Sequence, residues 1–435
     1  MPKRVLSQPG GEPSGTHAVP GDKSISHRAL LFAAAAGGET VIENFLDGSD
    51  CRATANALRA LGVGVEFIDA TRVRVSGNGK FTAPENDLDL GNSGTGMRLL
   101  TGLLAGFDVT ATLTGDASLC SRPMRRVTQP LSRMGAAIET SANGTAPLVV
   151  RGKSVLRGID YPMPVASAQV KSAILLAGLA AKEAVIVHEP AVTRDHTERM
   201  LRAFGATIKK TDNTVRLESG ARLRSPGSIA VPGDLSSAAF LFAAAAIHPG
   251  ASIMVSNVGV NPTRTGILDL LARMGANVTL ENPREISGEP AADVTVSGGT
   301  LSGIEISGAE VALAIDEIPV LLAIAAVAEG ETVVRGATEL RVKESDRLAA
   351  MAEGLANLGI RNELREDGIR VFGGRPQAGT IDSRGDHRIA MSFAVLGTCA
   401  TGAVEIRDCD NIETSFPGFV ALMQVAGLNI TEAEQ

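Results

Sequence analysis

"LRALGVGVE", Leu58 to Glu66, sets a glycine four residues after its first leucine and then places apolar residues at alternate positions. A glycine just past an apolar periodic run marks a helix stopped at its C′ position, and the alternation that follows is that of a half-buried strand. The phrase returns as "LSRMGAAIE" (Leu131–Glu139), "LRAFGATIK" (Leu201–Lys209), "LARMGANVT" (Leu271–Thr279), "LANLGIRNE" (Leu355–Glu363) and, more loosely, "LMQVAGLNI" (Leu422–Ile430). The glycines at 62, 135, 205, 275, 359 and 427 recur about every 73 residues. One such phrase is an ordinary helix end. Six in register predict a repeated unit of two helices and two or more strands, with mixed strand pairing.

A longer period overlies the short one. "VPGDKSISHRALLFAAAAGG" (Val19–Gly38) is answered by "VPGDLSSAAFLFAAAAIHPG" (Val231–Gly250), 212 residues later. Three small units therefore make one half, and the halves are duplicates. This predicts one domain over 19–230 and a second over 231–435, with residues 1–18 closing the second on itself. The chain crossings fall near 18–21 and 230–233, where Pro20 and Pro232 fix φ, and together they are expected to act as a hinge.

Composition narrows the function classes. A chain of 435 residues is too long for one core, and 44% hydrophobic residues support well-packed domains. The net charge of −7, the absence of Trp and the single Tyr161 leave no footprint for nucleic acid. Cys51, Cys120, Cys399 and Cys409 form no C-x-x-C pair, which fits neither a zinc site nor a disulfide scaffold and is the usage of a reducing cytoplasm. The opening "MPKRVLSQPGGEPSG" lacks an apolar signal region, and no run reaches the roughly 18 apolar residues that span a bilayer. A soluble cytoplasmic protein is expected.

Charged groups set into apolar phrases are the candidates for chemistry. In "GDKSISHRAL", Asp22 reads as a helix cap, while Lys23, Ser24, Ser26 and Arg28 could together hold an anion at the helix start. The second copy keeps Asp234 and Ser236 but has Leu235, Ala239 and Phe240, a turn given to packing. "LGNSGTGMRLL" (Leu90–Leu100) brings Gly91, Gly94 and Gly96 before a helix, where exposed N–H groups suit phosphate or carboxylate. It is no Walker loop, and Pro147 spoils the one remote approach to that pattern at Gly152-Lys153-Ser154. "GDASLCSRPMRRV" clusters Arg122, Arg125 and Arg126, "MPVASAQVKSA" offers Ser167, Gln169 and Lys171, and "EPAVTRDHTERML" offers Thr193, Arg194 and His196. "LRVKESDRLAAM" carries Lys343, Glu344, Asp346 and Arg347, with Lys343 and Arg347 expected on one helix face. "RGDHRIAMSF" adds Asp386, His387 and Arg388. A single cluster of this kind is equally a surface ion-pair patch, but all of them sit at turns leading into small-residue helices. So many cations suit a polyanion, or two small anions. Asp316 and Glu317, between apolar runs in "AIDEIPVLLAI", are either a helix cap or groups for proton transfer.

Taken together, "GDKSISHRAL", "LGNSGTGMR", "RPMRR", "SAQVKSA", "RDHTERML", "RVKESDR" and "GDHRIAMSF" resemble the 5-enolpyruvylshikimate-3-phosphate synthase family, in order and over about residues 19–419. The resemblance implies an α/β fold of two domains, each of three βαβαββ units, as an inside-out α/β barrel closing around its substrates. It implies transfer of the enolpyruvyl group of phosphoenolpyruvate to the 5-hydroxyl of shikimate 3-phosphate, with no metal or organic cofactor. Lys23, Ser24, Arg28, Ser167, Ala168, Gln169, Thr193, Arg194, Asp316 and Lys343 match positions that hold shikimate 3-phosphate. Lys23, Asn92, Gly94, Arg122, Gln169, Arg347 and Arg388 match the phosphoenolpyruvate site. Asp316 looks like the base for the 5-hydroxyl, Glu344 like the acid for the methylene carbon, and Lys23 like a catalytic cation facing both ligands. Gly94 implies sensitivity to glyphosate, and a monomer is expected.

The sequence departs from the family at Thr414, where many members carry lysine before the "SFP". The nearest rival, the UDP-N-acetylglucosamine enolpyruvyl transferase, places a cysteine five residues before an Arg-Pro. Here that position is Ala117, with Cys120 out of register. RNA 3′-phosphate cyclase, built from related units, needs ATP, for which no nucleotide loop is present. A non-catalytic paralogue is opposed by the retained Asp316 and Glu344.

Overall fold

The computed structural model describes residues 3–433. The chain divides into two compact units. The first holds Gly21–Val231 together with a short piece, Ile286–Glu289. The second holds the chain up to Pro20, Pro232–Glu285 and the chain from Pro290 onward. Nothing in the sequence period singles out Ile286–Glu289, which is the turn between two long strands, Asn277–Ile286 and Glu289–Ser297.

Among the described residues the strands form six four-stranded sheets. In each, a first strand runs parallel to a second, and the second antiparallel to a third. Ser228–Ala230 beside Gly37–Glu43, followed by Val73–Asn78, is one example. The fourth strand, which follows each L-x-x-x-G phrase, lies at the sheet edge in all six. Both units are completed by strands distant in sequence. Ser228–Ala230 joins the sheet of Gly37–Glu43, and Arg4–Gly11 lies inside the sheet of Val404–Arg407 and Leu428–Ala433.

The helices of the first unit are α1 (Lys23–Ala35), α2 (Ser49–Ala60), α3 (Gly94–Ala105), α4 (Ala117–Ser121), α5 (Arg125–Arg133), α6 (Ala168–Ala177) and α7 (His196–Ala203). Those of the second are α8 (Leu235–Ile247), α9 (Gly266–Met274), α10 (Ala309–Leu313), α11 (Ile318–Ala325), α12 (Arg347–Asn357), α13 (His387–Gly397) and α14 (Phe419–Val425). They are of two kinds. α1, α3 and α6 are buried nearly all round, as are α8, α11 and α13, and each trio packs together inside its own unit. A helix apolar on every face belongs in a core, so in each unit the sheets lie outside the central helices. At Gly102 a Cβ would come 2.3 Å from the carbonyl oxygen of Ala173, so only glycine allows α3 and α6 to approach so closely.

The other kind, α2, α5, α7, α9, α12 and α14, ends at the glycines that set the repeat. All six have φ between 74° and 106°, the left-handed region that favours glycine. At five of them the next N–H reaches back to the carbonyl of the phrase's leucine. These bonds are Val63 to Leu58 at 3.0 Å, Ala136 to Leu131 at 3.1 Å, Ala206 to Leu201 at 2.8 Å, Ala276 to Leu271 at 3.0 Å and Ile360 to Leu355 at 2.9 Å. The same leucines are fully buried, so the phrase joins a hydrogen-bonded stop to a core anchor.

Candidate active site

The residues singled out in the sequence fall into two sets, one in each unit. In the first unit they lie at the starts of α1, α3 and α6. Asp22 caps α1 by accepting from the Ile25 N–H at 2.9 Å. Lys23 Nζ reaches Asp50 Oδ2 at 2.9 Å and remains partly exposed. Arg28 is buried, and each of its nitrogens donates: Nε to Thr197 Oγ1 at 2.7 Å, Nη1 to the Ser24 carbonyl at 2.8 Å, and Nη2 to Ser172 Oγ at 2.8 Å. Burial pushes the Arg28 guanidinium down to about 10 against the pull of Glu198 and Asp22, and the charge of Arg194 adds to the lowering. Ser26 corrects an expectation. It is fully buried and accepts from the Leu46 N–H at 3.1 Å, so it stabilises the packing of α1 and offers an anion nothing.

Around α3 the glycine turn is framed by arginines. Arg122 Nη2 donates to Asn92 Oδ1 at 2.7 Å, and Asn92 Nδ2 donates to Asp116 Oδ2 at 2.8 Å. Arg98 Nη1 donates to Gln169 Oε1 at 2.6 Å, while Gln169 Nε2 donates to Thr95 Oγ1 at 2.9 Å, tying α6 to α3. A Cβ on Gly94 would lie 2.9 Å from Arg98 Nη1 and 3.0 Å from Arg122 Nη1. Of the other two arginines in this stretch, Arg125 is exposed and serves the Ala142 carbonyl. His27, fully buried on α1, meets Thr54 Oγ1 of α2 at 2.9 Å and Ser93 Oγ at the cap of α3 at 3.4 Å. Burial, then the charges of Lys23 and Arg28, hold its imidazole well below its usual pKa.

Ser167 caps α6, and the Ala168 carbonyl accepts from Ser172 Oγ at 2.6 Å. Below them lies a group that the motifs did not reveal as one. Lys171 Nζ, wholly buried, stands 3.0 Å from Glu189 Oε2 and 2.7 Å from Glu198 Oε1. Glu189 in turn accepts from the Thr193 N–H at 3.2 Å and from its hydroxyl, which fixes the loop bearing Thr193 and Arg194.

The second set gathers on Arg347, which is 1% exposed. Its Nε donates to Asp386 Oδ2 at 2.8 Å, its Nη2 to Glu344 Oε2 at 2.6 Å, and its Nη1 to Asp316 Oδ1 at 3.3 Å. Burial works against this charge, but Asp386, then Glu344 and Asp316, outweigh it and hold the guanidinium well above arginine's usual range. Lys343 Nζ lies 3.7 Å from Asp316 Oδ1. Burial pushes the Lys343 ammonium below the usual lysine range, with Asp316 opposing. Arg388 Nη1 donates to the Asp316 carbonyl at 3.0 Å and stands 3.8 Å from Glu317 Oε1. The shared helix face expected for Lys343 and Arg347 is absent. Asp346 caps α12 by accepting from the Ala349 N–H at 3.0 Å, so the helix begins at Arg347 and Lys343 lies in the turn before it. Glu317 occupies the cap position of α11 without capping it.

Thr414 is spent locally, its hydroxyl donating to the Asn411 carbonyl at 2.7 Å. Cys120 Sγ turns to the Gly115 carbonyl, and all four cysteines are free thiols. Among the described residues no cluster of His, Cys, Asp and Glu could hold a metal ion, and no helix is long and apolar enough to cross a membrane.

Sheets enclosing apolar helices, with cationic turns at the helix starts, define an enolpyruvyl transferase fold. The solved enolpyruvyl transferase NikO from Streptomyces tendae, 20% identical, shares it with a TM-score of 0.79 over 100% of both chains. The chain belongs to the EPSP synthase family, whose profile, described as EPSP synthase (3-phosphoshikimate 1-carboxyvinyltransferase), matches residues 8–423. It is 54% identical over 431 residues to the 3-phosphoshikimate 1-carboxyvinyltransferase of Alkalilimnicola ehrlichii, covering 98% of this chain and 96% of the relative. Against the enzyme of that name from Legionella pneumophila the identity is 48% over 429 residues, 98% and 99% of the two chains. A solved EPSP synthase from Acinetobacter baumannii matches with a TM-score of 0.88 at 47% identity, covering 99% of this chain and 100% of that one.

Proposed function

We infer that this chain, as a member of the family, transfers the enolpyruvyl group of phosphoenolpyruvate to the 5-hydroxyl of shikimate 3-phosphate and releases phosphate. The observation that carries the mechanism is the arrangement on Arg347, where Asp316 and Glu344, carboxylates from separate segments, are held by one guanidinium. Addition across an enol ether needs a base at the attacking oxygen and an acid at the methylene carbon. Asp316 takes the proton of the 5-hydroxyl as that oxygen bonds to C2, and Glu344 delivers a proton to C3. The tetrahedral intermediate then loses a proton from C3 as the C2–O bond to phosphate breaks, which restores the double bond.

The cations divide by substrate. Ser24, Arg28, Ser167, Ala168, Gln169, Thr193, Arg194 and Lys343 hold shikimate 3-phosphate, with Arg28 and Arg194 combining their charge on the 3-phosphate. Asn92, Gly94, Arg122, Gln169, Arg347 and Arg388 take phosphoenolpyruvate, and Lys23 serves both. Two anions that repel in water are thereby neutralised in fixed positions, which is where electrostatic catalysis has its largest effect. The protein acts as a cytoplasmic monomer and is inhibited by glyphosate in competition with phosphoenolpyruvate.

Purified protein given phosphoenolpyruvate and shikimate 3-phosphate should release phosphate without added metal or ATP. Release with UDP-N-acetylglucosamine in place of shikimate 3-phosphate, and none with the latter, would overturn the assignment. Light scattering tests the monomer, and cell fractionation the compartment.

A further inference from the structure

The second copy of the repeated phrase, at the start of α8, has no part in the reaction described above, yet it is not merely packing. Asp234 and Ser236 are buried there with Arg264, Glu317 and Arg388 in an alternating chain of charge. Arg264 Nη2 lies 3.1 Å from Asp234 Oδ1 and donates to Ser236 Oγ at 2.7 Å. Because that hydroxyl accepts from arginine, which can only donate, its own proton is directed at Glu317, and Ser236 Oγ does donate to Glu317 Oε1. The same Oε1 stands 3.8 Å from Arg388 Nη1, which also donates to the Asp316 carbonyl at 3.0 Å. Two acids and two arginines balance, so burial leaves no charge uncompensated.

We propose that Glu317 is a positioning residue for the enolpyruvyl transfer: anchored through Ser236 to the start of α8, it fixes the guanidinium of Arg388 and so the phosphoenolpyruvate side of the site. Three features support this reading over a capping role. Glu317 is 2% exposed and makes no bond to the N–H groups of α11. Its carboxylate turns instead to Ser236, 81 positions away in sequence. Arg388 is gripped at two successive residues, the Asp316 carbonyl and the Glu317 carboxylate, which sets direction as well as charge. The proposal rests on the assignment of Arg388 to phosphoenolpyruvate.

Two variants test position while leaving the charge in place. Glu317→Asp withdraws the carboxylate by one methylene, and Ser236→Ala cuts the anchor. KM for phosphoenolpyruvate should rise about tenfold in Glu317→Asp, which draws the carboxylate away from both Ser236 and Arg388, and about threefold in Ser236→Ala, which removes the anchor alone and leaves the ion pair. KM for shikimate 3-phosphate should stay within about twofold in both. Adding Ser236→Ala to Arg388→Ala should then change nothing further, because the relay has lost its output. Equal rises in both KM values, a fall in KM for phosphoenolpyruvate, or a threefold rise persisting in the double variant would each overturn the relay. Arg388→Ala with an unaltered KM for phosphoenolpyruvate would overturn instead the assignment of Arg388, and the proposal with it.

Discussion

Replacing Lys171 by methionine should destabilise the first unit severely while leaving its shape. The side chain is wholly buried and is the ion-pair partner of Glu189 at 3.0 Å and Glu198 at 2.7 Å, both nearly inaccessible to water. Methionine fills the volume but strands two carboxylates, and breaking a buried pair in this way costs about 3–5 kcal/mol. With a urea dependence of about 2 kcal/mol per molar, the midpoint should fall by about 2 M. The molecule supplies its own reporter. It has no Trp and one tyrosine, Tyr161, which is buried in the first unit on the strand Ile159–Pro162, paired in parallel with Val185–His188 just before Glu189. Tyrosine fluorescence in urea therefore follows the unit that carries the change. Lys171→Met combined with Glu189→Gln and Glu198→Gln should recover most of the loss, since neutral amides leave no buried charge unpaired. A single variant within about 1 kcal/mol of the parent, or a triple variant no more stable than the single, would refute the reasoning.

Lys23→Ala should abolish turnover with little change in the urea midpoint, whereas Leu235→Ala, a fully packed site 1% exposed, should cost about 2–5 kcal/mol and leave KM values alone. His27 has a folded pKa well below 6.5, so the unfolded chain takes up a proton that the folded one refuses. Stability should accordingly fall below about pH 6.5, by up to about 1.4 kcal/mol per pH unit from this group, and His27→Asn should remove one proton's worth of that slope in urea titrations at successive pH values. Gly94→Ala should fold normally, because its Cβ meets only the far ends of Arg98 and Arg122. Displacing those guanidinium groups should raise KM for phosphoenolpyruvate several-fold and weaken glyphosate inhibition further, as steady-state competition kinetics would show.

The repeat was readable because its signals are local. A C′ glycine, the leucine whose carbonyl accepts from the residue after that glycine, and the strand that follows lie within nine residues, and positive φ leaves glycine little competition. The cationic turns were readable for the same reason, since each lies within a single phrase. What failed were inferences across a cap or across the fold. Asp346 starts α12 one turn later than the spacing of Lys343 and Arg347 implied, and Ser26 turned inward where its polar neighbours suggested a ligand. The partners of the candidate groups were least visible. Arg28 meets Ser172 144 positions away, and Lys23 meets Asp50 27 away. Such pairings are set by how α1, α2 and α6 pack, and no sequence window contains them.

The strand Arg4–Gly11 lies between Val404–Arg407 and Leu428–Ala433, inside its sheet and not at the edge. During synthesis it emerges long before Val404–Arg407 and Leu428–Ala433 and must wait, unpaired, for them. The Gly21–Val231 segment, closed by its own strand Ser228–Ala230, has nearly all its contacts available once Val231 has emerged. One half of the molecule can thus mature early on the ribosome, while the other is sealed only once Leu428–Ala433 has emerged. A truncation that removes Arg4–Gly11 would take out an interior strand and unseal the half whose final sheet it completes.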